Sequence, residues 1–256
     1  MTDAMGLLSV VEDALWLGFL VFLRVAATVS LLPAFGEQSV PMRVKLVLAL
    51  AFTAIVAPAV DITLPDVTVT NLALFALTET ISGVMLGLGL RLFILALQTA
   101  GAIAAQSTSL SQIMGGAAVE PLPAMGYILT VGALALAALS GLHIKAAEFM
   151  IVSYDILPMG LFAGGDDMAQ WGVAQISRAF SLAFVLAAPF VLMSVLYNLT
   201  LGVINKAMPQ LMVAFVGAPV ITLGGLFILF LAAPSMLAVW LGALDRFMAA
   251  PFEIAP

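Results

Sequence analysis

Ser140 and His143, in "LSGLHIK", stand three residues apart, about one helical turn. A serine hydroxyl beside an imidazole is the least that an activated nucleophile requires, and an intramembrane hydrolase would need such a pair. His143 is the only histidine, however, and no G-x-S-x-G turn surrounds any serine. The pair therefore reads as a structural histidine near a helix end, and the chain as a non-enzyme. One histidine, scattered carboxylates and no cysteine offer no ligand cluster, so no metal and no cofactor are expected.

Ionisable groups inside apolar runs are the second kind of candidate. Arg24, Glu79, Arg91 and Glu148 lie within or beside such runs, where a charge is costly and often marks a pathway. Glu79 and Arg91 are too far apart to pair along one helix, so each needs a partner elsewhere. These charges keep a small-solute or ion secondary transporter in view. Against it, the chain shows no matched pair of broken helices. Its three "AAP" triplets, at Ala187, Ala232 and Ala249, are too short to be a repeat.

Two polar breaks complete the set. "QSTSLSQIMGGAAVEPLP", Gln106 to Pro123, carries Gln106, Ser107, Ser109, Ser111 and Gln112, then Ile113, Met114 and the flexible Gly115-Gly116. Irregular backbone of this kind cannot face lipid. From composition alone, an exposed loop and a cavity-lining segment stand even. "NKAMPQLMVAFVGAPV" places Asn205, Lys206, Pro209 and Gln210 between two long apolar runs.

The elements that must position these residues are membrane helices. Of 256 residues, 64% are hydrophobic and 9% charged, with mean hydropathy +1.22; soluble domains carry about a quarter charged residues. The net charge of −6 leaves no basic face for nucleic acid. The acidic start "MTDAMGLLSVVEDALW" is unlike a signal peptide, so insertion by the helices themselves is expected.

Charges and turn residues mark about six apolar segments: Ala14 to Leu32, Leu46 to Val60, Leu72 to Ala105, Pro123 to Leu142, Met168 to Asn205 and Met208 to Leu244. Asp167 and Gln170 have capping-box spacing, and Pro121 and Pro123 suit a first helical turn. Gly83, Gly87 and Gly101, with Ala100, Ala104 and Ala105, give small-residue spacings that let helices approach closely. Ala207 to Leu244 runs without a charge for about 57 Å of helix, against a hydrocarbon core of about 30 Å. Such lengths point to hairpins packed inside a larger assembly. Lysine and arginine placement favours both termini outside and Lys206 inside.

"NLTLGVINKAMPQLMVAFVGAP" resembles the best-defined motif of the FliR family, the R subunit of the type III export gate, with injectisome equivalents. Asn198, Leu199, Gly202, Asn205, Lys206, Pro209, Gln210, Leu211, Phe215, Gly217 and Pro219 match it in type and spacing. An N-terminal block with Arg24, Pro33, Pro41, Arg43, Lys45 and Pro58 also resembles that family. So does a middle block with Gly141, His143, Ser153, Pro158 and Gly160. The likeness runs from about Leu15 to Ala233.

The resemblance implies an all-α integral membrane protein of stacked long helical hairpins. Residues 1–165 would form a P-like half and 166–256 a Q-like hairpin half. It implies a flagellar export-gate subunit of the inner membrane and basal body, assembled with P and Q subunits and meeting the B and A subunits and lipid. Unfolded flagellar proteins would pass along its axis. Residues 106–123 would be the plug loop, with Ile113 and Met114 as sealing side chains where relatives often carry phenylalanines. Asn198, Asn205, Lys206, Pro209 and Gln210 would mark the hairpin tip at the cytoplasmic mouth, while Arg24, Glu79 and Arg91 would be buried charges. A solute transporter remains the alternative.

Overall fold

A computed structural model describes residues 2–60, 68–108, 124–162, 164–208 and 213–253. All regular structure among them is helical: α1 (Thr2–Leu31), α2 (Met42–Val56) with a 3-10 turn (Ala57–Ala59), α3 (Val69–Thr108), α4 (Ala124–Leu139), α5 (Leu142–Ile156), α6 (Gly165–Ala207) and α7 (Val213–Ala249). Five helices are long and apolar enough to cross a membrane, or six spans if α4 and α5 count as one broken span.

Helix ends follow local chemistry. Thr68 caps α3, its Oγ1 accepting the Asn71 N–H at 3.2 Å. Between α4 and α5, Gly141 takes φ +82°, a left-handed conformation that ends one helix and starts the next. The apolar stretch from Pro123 to Leu142 therefore stops at Leu139, and α5 is a separate helix that the charge spacing did not resolve. Asp167 is not the cap of α6. The Met168 N–H bonds the Gly164 carbonyl at 2.9 Å, which places Asp166 and Asp167 in the first turn. There their charges favour the helix dipole, as Lys206 does in the last turn. Pro121 and Pro123 lie outside the described residues.

The overlong runs are real helices. α3, α6 and α7 have 40, 43 and 37 residues, about 60, 65 and 56 Å at 1.5 Å per residue. Pro189 lies inside α6, and α7 continues through Pro219 and Pro234.

The chain forms two compact units. The first takes residues 1–91, 137–174 and 244–256, the second 92–136 and 175–243. This division is by packing, and each unit draws on both halves of the sequence.

In the first unit α1 and α3 run side by side in parallel. A Cβ on Gly83 would strike the Arg24 carbonyl and Ala27, and one on Gly87 would strike Leu31, so glycine is what permits the approach. Val21, Val25 and Val29 of α1, Leu32 just after it, and Leu86 and Leu90 of α3 are fully buried. Phe149, Trp171, Phe247 and Phe252 form an aromatic cluster, and Trp171 Nε1 donates to the Pro251 carbonyl at 2.8 Å.

In the second unit a Cβ on Gly101 would overlap the backbone of Gly126, so α3 and α4 touch almost backbone to backbone. Ala96, Ala100 and Ala104 on α3 and Ala133 on α4 are buried here, between the larger Ile94, Leu97 and Leu129. Trp240 is fully buried, its Nε1 donating to the Phe93 carbonyl at 2.8 Å.

α6 and α7 meet in each unit: Trp171 meets Phe247 in the first, and Gly224 faces Met193 in the second.

Candidate functional site

The most constrained group of polar side chains lies in the core of the first unit. Arg24 and Glu79 are both completely buried, one on α1 and one on α3. Arg24 Nη2 donates to Glu79 Oε1 at 3.0 Å, and Nε stands 2.8 Å from Oε2. The first is an aligned hydrogen bond. The second is a close charge contact without linear bond geometry.

A guanidinium has five N–H donors, and the remaining ones of Arg24 turn to α5. Nη2 also donates to the Leu157 carbonyl at 2.8 Å, while Nη1 reaches the Ser153 carbonyl at 3.3 Å and Ser153 Oγ at 3.2 Å. The guanidinium thus caps the C-terminal carbonyls of α5, where a cation is favoured. Its carbon lies 3.8 Å from the centre of the Tyr154 ring, a cation–π contact that shields the charge.

On its other side, Gly160 and the Tyr154 hydroxyl lie near the Glu79 carboxylate, outside close hydrogen-bond geometry. Gly160 has φ +78°, and a Cβ there would overlap the Phe75 ring. Only glycine suits both demands.

This arrangement joins α1, α3 and the segment after α5 at one point. Both terminal guanidinium nitrogens of Arg24 donate within the chain, and its Nε meets Glu79 by charge alone, so the chemistry the pair offers is clamping. Stranding either ion would cost about 3–5 kcal/mol, although such pairs need not add net stability over an apolar core.

The other predicted residues do not gather around it. Arg91 pairs with Glu37 at 2.7 Å, partly exposed. Glu148 and His143 are exposed on α5, and Ser140 Oγ donates to the Ala137 carbonyl at 2.8 Å. Gln106 is exposed at the end of α3, and Ser107 Oγ bonds the Ala104 carbonyl at 2.8 Å. Ser109, Ser111, Gln112, Ile113, Met114, Gly115 and Gly116 lie outside the described residues, as do Pro209 and Gln210. Asn198 is exposed and donates to Ser194 Oγ at 3.2 Å, while Asn205 and Lys206 are exposed in the last turn of α6. Among the described residues, no group of three or more His, Cys, Asp or Glu side chains is placed to hold a metal.

Sequence reasoning singled out Arg24 and Glu79 but not their partnership, nor the parts played by Ser153, Tyr154 and Leu157. Fifty-five residues separate the two ions, and no local spacing encodes a contact between parallel helices. Gly160 beside Pro158 was the available signal, as a sharp turn directly after a helix.

Helices of this length and apolarity, with a buried ion pair between them, define a multi-pass all-α membrane protein. Residues 15–247 match the family described as "Bacterial export proteins, family 1". Among its relatives, the flagellar biosynthetic protein FliR of Caulobacter vibrioides is 33% identical over 225 residues, covering 86% of this chain and 90% of that protein. The protein of the same name from Escherichia coli K12 is 31% identical over 216 residues, covering 80% of each chain. The one from Bacillus subtilis is 27% identical over 209 residues, covering 78% of this chain and 79% of that one. The chain belongs to the FliR family of bacterial export proteins and is a component of a flagellar export apparatus.

Proposed function

We propose that this chain is a non-enzymatic subunit of the flagellar type III export gate. With P and Q subunits it forms the channel through which unfolded flagellar proteins cross the inner membrane at the basal body, near the B and A subunits. Residues 1–165 play the P-like part and 166–256 the Q-like hairpin.

The observation that carries the reading is the uncovered apolar face of the long hairpin. Phe184, Leu192 and Leu196 of α6 and Leu223, Phe227 and Phe230 of α7 are exposed, on helices of 43 and 37 residues. Helices of about 65 and 56 Å exceed a hydrocarbon core of about 30 Å, so lipid alone cannot cover their length. Neighbouring protein subunits can. A solute transporter would instead need a polar pathway of its own, and the Arg24–Glu79 pair is completely buried with each ion paired to the other.

The decisive experiment is co-purification. The tagged chain, expressed with candidate P and Q subunits, should leave detergent in a complex several times its own 26.6 kDa. A stable monomer or homodimer indifferent to those subunits would return the transporter to first place.

Within this reading, residues 106–123 are the plug, with Ile113 and Met114 sealing the closed channel. Deleting Gln112 to Ala118 should leave assembly intact and let ions leak through the membrane. A tight membrane in cells with an assembled deletion variant would remove the plug assignment.

A further inference from the structure

The first unit presents an apolar point that its own contacts do not explain. After α5 the chain leaves helical geometry, and Leu161 and Phe162 are 62% and 50% exposed. The segment that carries them is firmly seated. Arg24 holds the Leu157 carbonyl, Met159 is buried, and Gly160 is fixed between Glu79 and Phe75. Two large apolar side chains are thus displayed on a stiff, irregular backbone. Backbone of this kind does not face hydrocarbon, because its polar groups would go unsatisfied there. Lipid tails are therefore not the natural cover for Leu161 and Phe162.

The charges around them narrow the choice. Asp155 stands at the end of α5, and Asp166 and Asp167 in the first turn of α6, on either side of the segment; all three are exposed. Elsewhere in this unit Glu79, Glu37 and Asp245 each have a cation within 3 Å. Asp155, Asp166 and Asp167 have no ion-pair partner among the described residues. Exposed acids flanking the segment repel anionic lipid headgroups and draw a basic surface.

We propose that Leu161 and Phe162 are a docking point for a protein partner that offers an apolar pocket rimmed by lysine or arginine. Burying such a pair at the centre with charge complementarity at the edge is the usual division of labour in a specific interface. The proposal rests on the chain working within an export apparatus, since that is where a standing protein neighbour is found.

The test uses the full chain in cells that build flagella. A photoreactive phenylalanine at position 161 or 162 should label a protein. Carbodiimide treatment of the same membranes should join the peptide carrying Asp155, Asp166 or Asp167 to a lysine of that same protein. In the variant Asp155→Asn/Asp166→Asn/Asp167→Asn the photolabelling yield should fall by about tenfold, the sum of three exposed charge pairs. These carboxylates are exposed and unpaired, so the variant should reach the membrane in normal amount, which immunoblotting checks. Label found only on lipid, or an unchanged yield in a normally abundant triple variant, would overturn the proposal. Swimming restored to a deletion strain by the unaltered chain reports separately on the export reading, so the two failures cannot be confused.

Discussion

The two units of this chain solve the same problem, holding helices together in an apolar setting, by different means. The first concentrates charge: the Arg24–Glu79, Arg91–Glu37 and Lys145–Asp245 pairs lie in it. Of the 22 charged groups in the sequence only Glu120, Arg178 and Lys206 fall in the second. There the contacts are close backbone approach at Gly101 and Gly126, alanine-lined faces and one anchored tryptophan. Polar clamps fix unique partners at fixed distances. Small-residue contacts fix proximity, and Phe184, Leu192, Leu196, Leu223, Phe227 and Phe230 of α6 and α7 stay exposed. The first unit is thus fixed by polar clamps, and the second by close backbone approach and apolar packing.

The sharpest way to break this contrast is at the clamp. Arg24→Ala should destabilise the protein by about 3–5 kcal/mol, because Glu79 is left buried and unpaired. The chain should then be sparse in membranes and sensitive to protease. Arg24→Leu/Glu79→Leu should recover much of the loss, since no buried charge remains. A single Arg24→Ala variant with wild-type abundance would show that the pair does not organise the unit.

A smaller effect is expected at the close approach in the second unit. Gly101→Leu drives side-chain atoms into the Gly126 backbone and should cost about 1–3 kcal/mol, as overpacking does. Thermal unfolding in detergent would measure it, and an unshifted midpoint would mean that α3 and α4 part without penalty.

The smallest effect sharpens the comparison most. Among the described residues, nothing beyond its own turn of helix lies within 4 Å of the place a Cβ on Gly202 would take. A helix-interior glycine costs about 0.5–1 kcal/mol relative to alanine. Gly202→Ala should therefore leave the isolated chain as stable or slightly more so. Reduced flagellar export from that stable variant, scored by swimming halos, would locate a neighbouring helix against Gly202. Unchanged export would show that the residue has no close neighbour in the assembly.

Much of this was legible in the residues. Composition determined the membrane class, because too few polar groups exist to cover a soluble surface. Glycine spacing along α3 announced close helix contacts, and the charge-free run before Leu244 announced helices too long for one bilayer. The motif from Asn198 to Pro219 pointed to the export family, which the comparisons establish. The cap of α6 was misjudged because two acids in a first turn look the same in sequence as one acid at the cap. The separate helix α5 was hidden for a similar reason. A left-handed glycine between two apolar helical stretches breaks the axis without breaking the hydrophobic pattern.

By itself, then, the sequence determined where the long apolar helices run, that they live in a membrane and which family they resemble. Those properties follow from composition, period and local motif, all of which read along the chain. Only the tertiary structure decided that Arg24 answers Glu79, Ser153 and Leu157, that Gly160 is wedged between Glu79 and Phe75, and that Leu161 and Phe162 are left outside. Those are choices among distant surfaces, made by shape and by the cost of burying a charge alone, and no residue spacing carries them.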